Sequence, residues 1–256
     1  MLWKPSAWAL AFALTSLVGW SGELELETVM NGYLEALGGK EKIRQITTLK
    51  KTGTFVYNGL EHPLTAWHQA NRVRMDIDGL ELYGRFVTPG KIVTRAYDGD
   101  LAWGCCHWSG RTFDHPLEGG KPEPYPEGWA DAIISEAYLV SPLVDPHPTG
   151  RNIKLIGREE LEGQAVYHLQ VIFAGPAKAQ DWYLDAQTSL PLKRSVPEED
   201  RFKSQAWFFS DYRPIGGVPL PHYVEIEEGL FTQVLIFDEI EPNVKIDEGV
   251  FSMPEG

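Results

Sequence analysis

The sequence predicts a mainly β fold, a large antiparallel meander with two helical segments covering one face. Three observations carry that expectation. From Thr48 onward, short runs rich in β-branched and aromatic residues alternate apolar with polar side chains, as half-buried strands do. Turn dipeptides separate the runs: Asn58-Gly59, Asp78-Gly79, Pro89-Gly90, Glu162-Gly163, Gly216-Gly217 and Glu228-Gly229. Neither a βαβ alternation nor a propeller-type repeat runs through the chain.

The first element is an export segment. MLWKPSAWALAFALTSLVGWSG carries one cation, Lys4, and an apolar run from Ala7 to Val18, too short to span a bilayer and fitting a secretory h-region. A cut near Ser21 divides the chain into a signal peptide (1–21) and one domain (22–256), and makes the protein periplasmic. Residues 22–46 then read as helix. Val29, Tyr33, Leu34 and Leu37 fall at helical spacing, and Gly38-Gly39 supplies the stop. The first strand set follows: TLKKTGTFVYN, HPLTAWHQ, RVRMDID, LYGRFVT, KIVTRAY and DLAWGCC. RVRMDID is the cleanest, with Val73, Met75 and Ile77 on one face and Arg72, Arg74, Asp76 and Asp78 on the other. Residues 107–126 are rich in Pro and Gly and read as loop. Glu127 to Val140 reads as a second helix ended by Pro142. Seven further strands, from IKLIGREEL to LFTQVLIFDEI, complete the chain.

A net charge of −13 with no Lys/Arg cluster excludes a nucleic-acid partner and disfavours an anionic membrane surface. The motifs of a nucleophile elbow, zinc protease, P-loop, dinucleotide fold and C-x-x-C redox centre are absent, so no enzyme, metal or cofactor is expected. The seven histidines (62, 68, 107, 115, 147, 168, 222) are scattered, and His168 reads as a solvated surface residue. Cys105-Cys106 leaves three chemistries open. A zinc site with His107 or His115 lacks any standard ligand spacing. A disulfide between neighbours is strained, since α-carbons about 3.8 Å apart are closer than relaxed bridges want. Two thiols on opposite sides of a strand end need no chemistry at all.

The order of motifs adds a resemblance. W-Y-L-D-A-Q-T-S-L-P-L-K-R (182–194) is a strand, a turn tied by Asp185 and Thr188, and a strand. F-F-S-D-Y-R-P-I-G-G-V-P-L-P-H (208–222) is a hairpin, and N-V-K-I-D-E-G-V-F-S-M-P (243–254) closes the chain. With YLEALGGKEKIRQI, Y-D-G-D-x-A-W (97–103) and LIGREELEGQAVYHLQV (155–171), this order resembles the LolA/LolB-like superfamily of outer-membrane lipoprotein-sorting proteins. The resemblance implies an open half-barrel, a single curved antiparallel sheet with helices on its concave face. It further implies a non-enzymatic binding or carrier protein whose apolar cavity holds a lipoprotein acyl chain, a lipid or another hydrophobic ligand. A carrier is needed because each exposed methylene costs about 0.8 kcal/mol in water. The candidate lining is Val73, Met75, Ile77, Phe86, Trp103, Leu169, Val171, Trp182, Trp207 and Phe209, with Trp103 placed near the cavity mouth. The long 107–126 loop and the Cys-Cys stretch depart from the family pattern. The alternative is an envelope interaction or sensor protein that binds a protein partner, such as an envelope membrane protein, through Phe113, Tyr125 and Trp129.

Overall fold

In the computed structural model, residues 25–78, 92–105, 122–125, 130–144, 150–173, 179–196, 205–229 and 231–254 are described. The export segment, the LYGRFVT run with Phe86, and Cys106 lie outside them. Strands β1 (Thr48–Tyr57) and β2 (Leu60–Gln69) meet across Asn58-Gly59. Both turn residues have positive φ (51° and 76°), as a two-residue type I′ hairpin requires. The same device, at Glu162-Gly163 and Gly216-Gly217, joins β7 (Arg151–Leu161) to β8 (Gln164–Phe173) and β11 (Gln205–Ile215) to β12 (Val218–Glu228). The remaining strands are β3 (Arg72–Asp78), β4 (Ile92–Tyr97), β5 (Ala102–Cys105), β6 (Glu123–Pro124), β9 (Gln180–Asp185), β10 (Pro191–Val196) and β13 (Phe231–Pro242).

All thirteen form one antiparallel sheet in the order β6-β5-β4-β3-β2-β1-β13-β12-β11-β10-β9-β8-β7. Two meandering wings are sewn together by β1 and β13, and the sheet is not closed into a barrel. Its two edges, β6 and β7, are consecutive in sequence. The chain between them must therefore cross from one side of the sheet to the other, and residues 130–144 form that strap.

Helix α1 (residues 25–36) docks through Val29, Tyr33 and Leu37, spaced four apart and buried in the core beside the sheet. Its end is a Schellman motif: Gly39 N–H donates to Leu34 O (2.8 Å) and Gly38 N–H to Glu35 O (2.9 Å). Gly38 is at φ 85°, and a Cβ there would come within 2.6 Å of the Gly217 carbonyl, so the position needs glycine twice over. A short helix, α2 (Lys40–Gln45), leads into β1.

Two sequence expectations are corrected. Among the described residues the second helix is α3 (Ala130–Ile134), followed by turns before Val140. The ladder breaks because Glu136 N–H and Ala137 N–H bond three residues back, to Ile133 and Ile134 (3.0 and 3.1 Å), while the Ser135 carbonyl is taken by the Arg194 side chain (3.0 Å). Within the expected 107–126 loop, Glu123–Pro124 is a short strand paired to β5. The turn at Asp185 is as expected, its carboxylate accepting from the N–H groups of Gln187 and Thr188 (2.8 and 2.6 Å).

Candidate functional site

Register fixes which side chains share a face, because directly paired residues of an antiparallel sheet project the same way. One cross-strand row runs Leu155, Leu169, Trp182, Arg194, Trp207, Ile226, Gln233, Tyr57. A second runs Phe209, Val224, Leu235, Phe55, His62. On the other wing, Leu64, Ala66 and His68 of β2 face Ile77, Met75 and Val73, which face Val93, Arg95 and Tyr97. These rows make up the inner face, against which α1 and the strap are packed.

Of the expected lining, Val73, Met75, Ile77, Leu169, Val171, Trp182, Trp207 and Phe209 all lie on this face. Trp182 and Phe209 stack with centroids 5.9 Å apart and ring planes 7° from parallel. Trp103 does not belong with them. It pairs with Ala96, which pairs with Arg74, and so it sits on the opposite face of the sheet. There its Nε1–H donates to the Phe251 carbonyl (2.7 Å). Arg72 lies over the Phe251 ring at 4.9 Å, and Arg74 donates to Val250 O (3.0 Å). The terminal F-x-x-P segment is thus a clip on the outer surface, and Trp103 is its anchor rather than part of a cavity mouth. Alternation alone could not separate the faces at W-G-C because the outer face is covered there too. Phe86 lies outside the described residues, as do Phe113 and Trp129. Tyr125 is a packing residue against Val73, Ile133 and Ala137 and not an exposed contact.

The inner face also carries charge that the sequence reading missed. Lys51 shares the parity of Leu49, Phe55 and Tyr57, and pairs with inward Ala66. Arg95 lies between Val93 and Tyr97 on the same side, and Arg194 lies between Trp182 and Trp207. Arg194 is 4% exposed, with its guanidinium carbon 3.7 Å from the Trp207 ring centroid and 5.9 Å from that of Trp182. Its Nη1 serves Ser135, while its buried Nε has no partner. Lys51 Nζ stands 5.2 Å from the Phe237 centroid. Such cation–π contacts return about 2 kcal/mol of the hydration that a desolvated cation loses.

Among the described residues, the carboxylate that answers these cations is that of Glu136 on the strap. Burial pushes its carboxyl up, against the opposing pull of Arg194, Arg95 and Lys51. Burial lowers Lys51 to about 8, with Glu136 working the other way. Burial also lowers Arg194 to about 10, opposed by Glu136 and Tyr138. His68, buried beside them, is held well below its ordinary value by desolvation and then by Lys51, against a hydrogen bond with the Tyr138 backbone. These groups come from far apart in the sheet. β4 and β10 are seven strand steps apart, which on a flat sheet is about 34 Å. Yet five-residue α3 packs on β3, β4 and β5, and the next residue is bonded to β10. Only strong curling of the sheet allows this, and it makes the inner face concave.

His168, on the outer face, is clamped between Glu159 (2.8 Å) and Asp181 (3.4 Å) and stacked on Tyr183 at 4.6 Å, so it is a cross-strand brace rather than the solvated residue expected. Cys105 Sγ donates to Ile92 O (3.3 Å). Among the described residues, no group of three or more His, Cys, Asp or Glu is placed to hold a metal. A shallow depression lined by Arg158, Gln164 and Gln187 lies at the β7–β8 hairpin end of the sheet, beside the Asp185 turn.

An open, curled antiparallel sheet whose concave face is closed by a helix and a strap defines a half-barrel. No family model matches the sequence, and no curated protein matches it. Among solved structures, the chain is similar to a LolA superfamily protein from Nitrosomonas europaea, with a TM-score of 0.51 and 12% identity over 85% of this chain and 96% of that one. It is also similar to a DUF1329 family protein from Desulfovibrio piger, with a TM-score of 0.50 and 12% identity over 88% and 96% of the respective chains. The fold is LolA-like.

Proposed function

We propose that this chain is a non-enzymatic binding or carrier protein of the bacterial envelope, working in the periplasm. It holds the acyl chain of a lipid or lipoprotein between the concave face and the strap. The observation that carries this reading is the inward aromatic patch of Trp182, Trp207 and Phe209 beneath the strap that crosses the concave face. In the described form the patch is covered, Trp182 and Trp207 being 3% and 4% exposed. A ligand enters by lifting the strap, whose contact with the face includes short-range turns and one guanidinium bond rather than a continuous helix.

Apolar side chains on a covered sheet face are the ordinary makings of a core. What distinguishes this face is its mixture of stacked aromatics with incompletely paired buried polar groups, among them Arg194 Nε, His62 Nε2 and His68 Nδ1. A core optimised for stability alone pairs such groups or omits them. Native mass spectrometry of the protein purified from a bacterial envelope tests the reading. We expect co-purifying lipid or lipopeptide, or uptake of added fatty-acid probes. A clean unliganded mass together with no uptake would remove the carrier function.

A further inference from the structure

The carrier reading leaves the charge on the concave face unexplained. An acyl chain has no use for Lys51, Arg95 and Arg194, and burying cations costs several kcal/mol each unless an anion meets them. Three cations share one carboxylate, Glu136, and none of them makes an ion pair with it at contact distance among the described residues. Arg194 is more than nine-tenths buried and keeps its Nε unpartnered, so a donor is already in place. Its planar fork is suited to a carboxylate or phosphate oxygen pair. Lys51 and Arg95 are half-buried. The aromatic patch surrounds the same residue, since Trp182 and Trp207 flank Arg194 in register. A cationic end and an apolar trough therefore form one continuous surface.

We infer that the Lys51–Arg95–Arg194 cluster is a head-group site for an acidic amphiphile. The ligand's carboxylate or phosphate binds the three cations while its acyl chain lies along Trp182, Trp207 and Phe209, and the Glu136 carboxylate holds the anion's place in the unliganded chain. The inference rests on the carrier reading and narrows it. Binding is then an exchange of one carboxylate for another. An incoming anion takes over the cations, Glu136 moves outward to water, and the strap that carries it is released from the concave face. The Ser135–Arg194 bond lies next to Glu136 in the chain and is lost in the same movement.

The test is equilibrium dialysis of the full chain with myristate, methyl myristate and myristyl alcohol, which share a tail and differ in head charge. Inorganic phosphate and acetate serve as competitors that have a head and no tail. We expect myristate to bind on the order of tenfold or more tighter than the ester or the alcohol, since the anion alone meets the desolvated cations. Acetate and phosphate at equal concentration do not displace it. Lys51→Met should bring the acid-to-ester ratio close to one. Glu136→Gln should move the ratio the other way, by removing the internal competitor. That second variant separates head-group recognition from damage to the fold, because unfolding cannot raise affinity for the acid alone. Equal binding of all three probes overturns the head-group site and leaves the carrier standing. Displacement by acetate or phosphate at equal concentration overturns it in favour of a free-anion site. Binding of none of the probes overturns both readings.

Discussion

Lys51 shows how the strand pattern can place a residue whose surroundings only the fold reveals. Its parity with Leu49, Phe55 and Tyr57 puts it on the concave face, but in KKTGTF it sits beside another lysine and looks like solvent-facing charge. The cost of its position is measurable. In the unfolded chain the amine keeps its proton to near 10.5, whereas in the fold burial lets it go near 8. Between those values the unfolded state binds more protons, so stability rises with pH, and below about 8 the full cost is present. The shift corresponds to about 3 kcal/mol at neutral pH. Urea melts of the wild type and Lys51→Met should therefore show a stability gap in favour of the variant at pH 7 that closes as pH is raised to 10. Taking the difference between the two proteins cancels the buried tyrosines, which titrate in both. A gap that stays constant over this range would show that Lys51 is not held in a desolvated, charge-disfavouring site.

At the scale of elements, the junction between the wings carries the fold. β13 bulges at Asp238, opposite Thr52 and Gly53 of β1, and a Cβ at Gly53 would overlap the Ile236 carbonyl. Gly157 also lies at a bulge, between β7 and β8, but nothing stands within 4 Å of a Cβ there. Gly53→Ala should cost about 1–3 kcal/mol of stability through overpacking, and Gly157→Ala should cost little or nothing. Equal effects in thermal melts would mean that the β1–β13 junction is not the close approach described. Hairpins were the most legible elements, because their turns need residues at positive φ and the chain supplies Asn-Gly, Glu-Gly and Gly-Gly at those places. The strap was read poorly. Its apolar stripe of Ile133 and Ala137 is helical in sequence, yet its helix ends at Ile134, because the carbonyl of Ser135 is satisfied from a strand sixty residues away in sequence. No local rule reports a partner of that kind.

For the whole molecule, motif order revealed a half-barrel, whereas only the paired register shows what its concave face contains. Eight of the ten residues expected to line the cavity share that face. Trp103 is on the other side, held by Phe251, because the C-terminal clip gives the outer surface a second apolar patch that alternation cannot tell from the first. The charged cluster was invisible for a different reason: Lys51, Arg95, Glu136 and Arg194 meet only once the sheet has curled. The proposed function requires that acyl chains lie on the concave face. Quenching of tryptophan fluorescence by a fatty acid brominated along its chain tests it most directly. We predict clear quenching in the wild type, the same quenching in Trp103→Phe, and a large loss in the Trp182→Phe/Trp207→Phe double variant. Undiminished quenching in the double variant, or its loss in Trp103→Phe, would contradict the account.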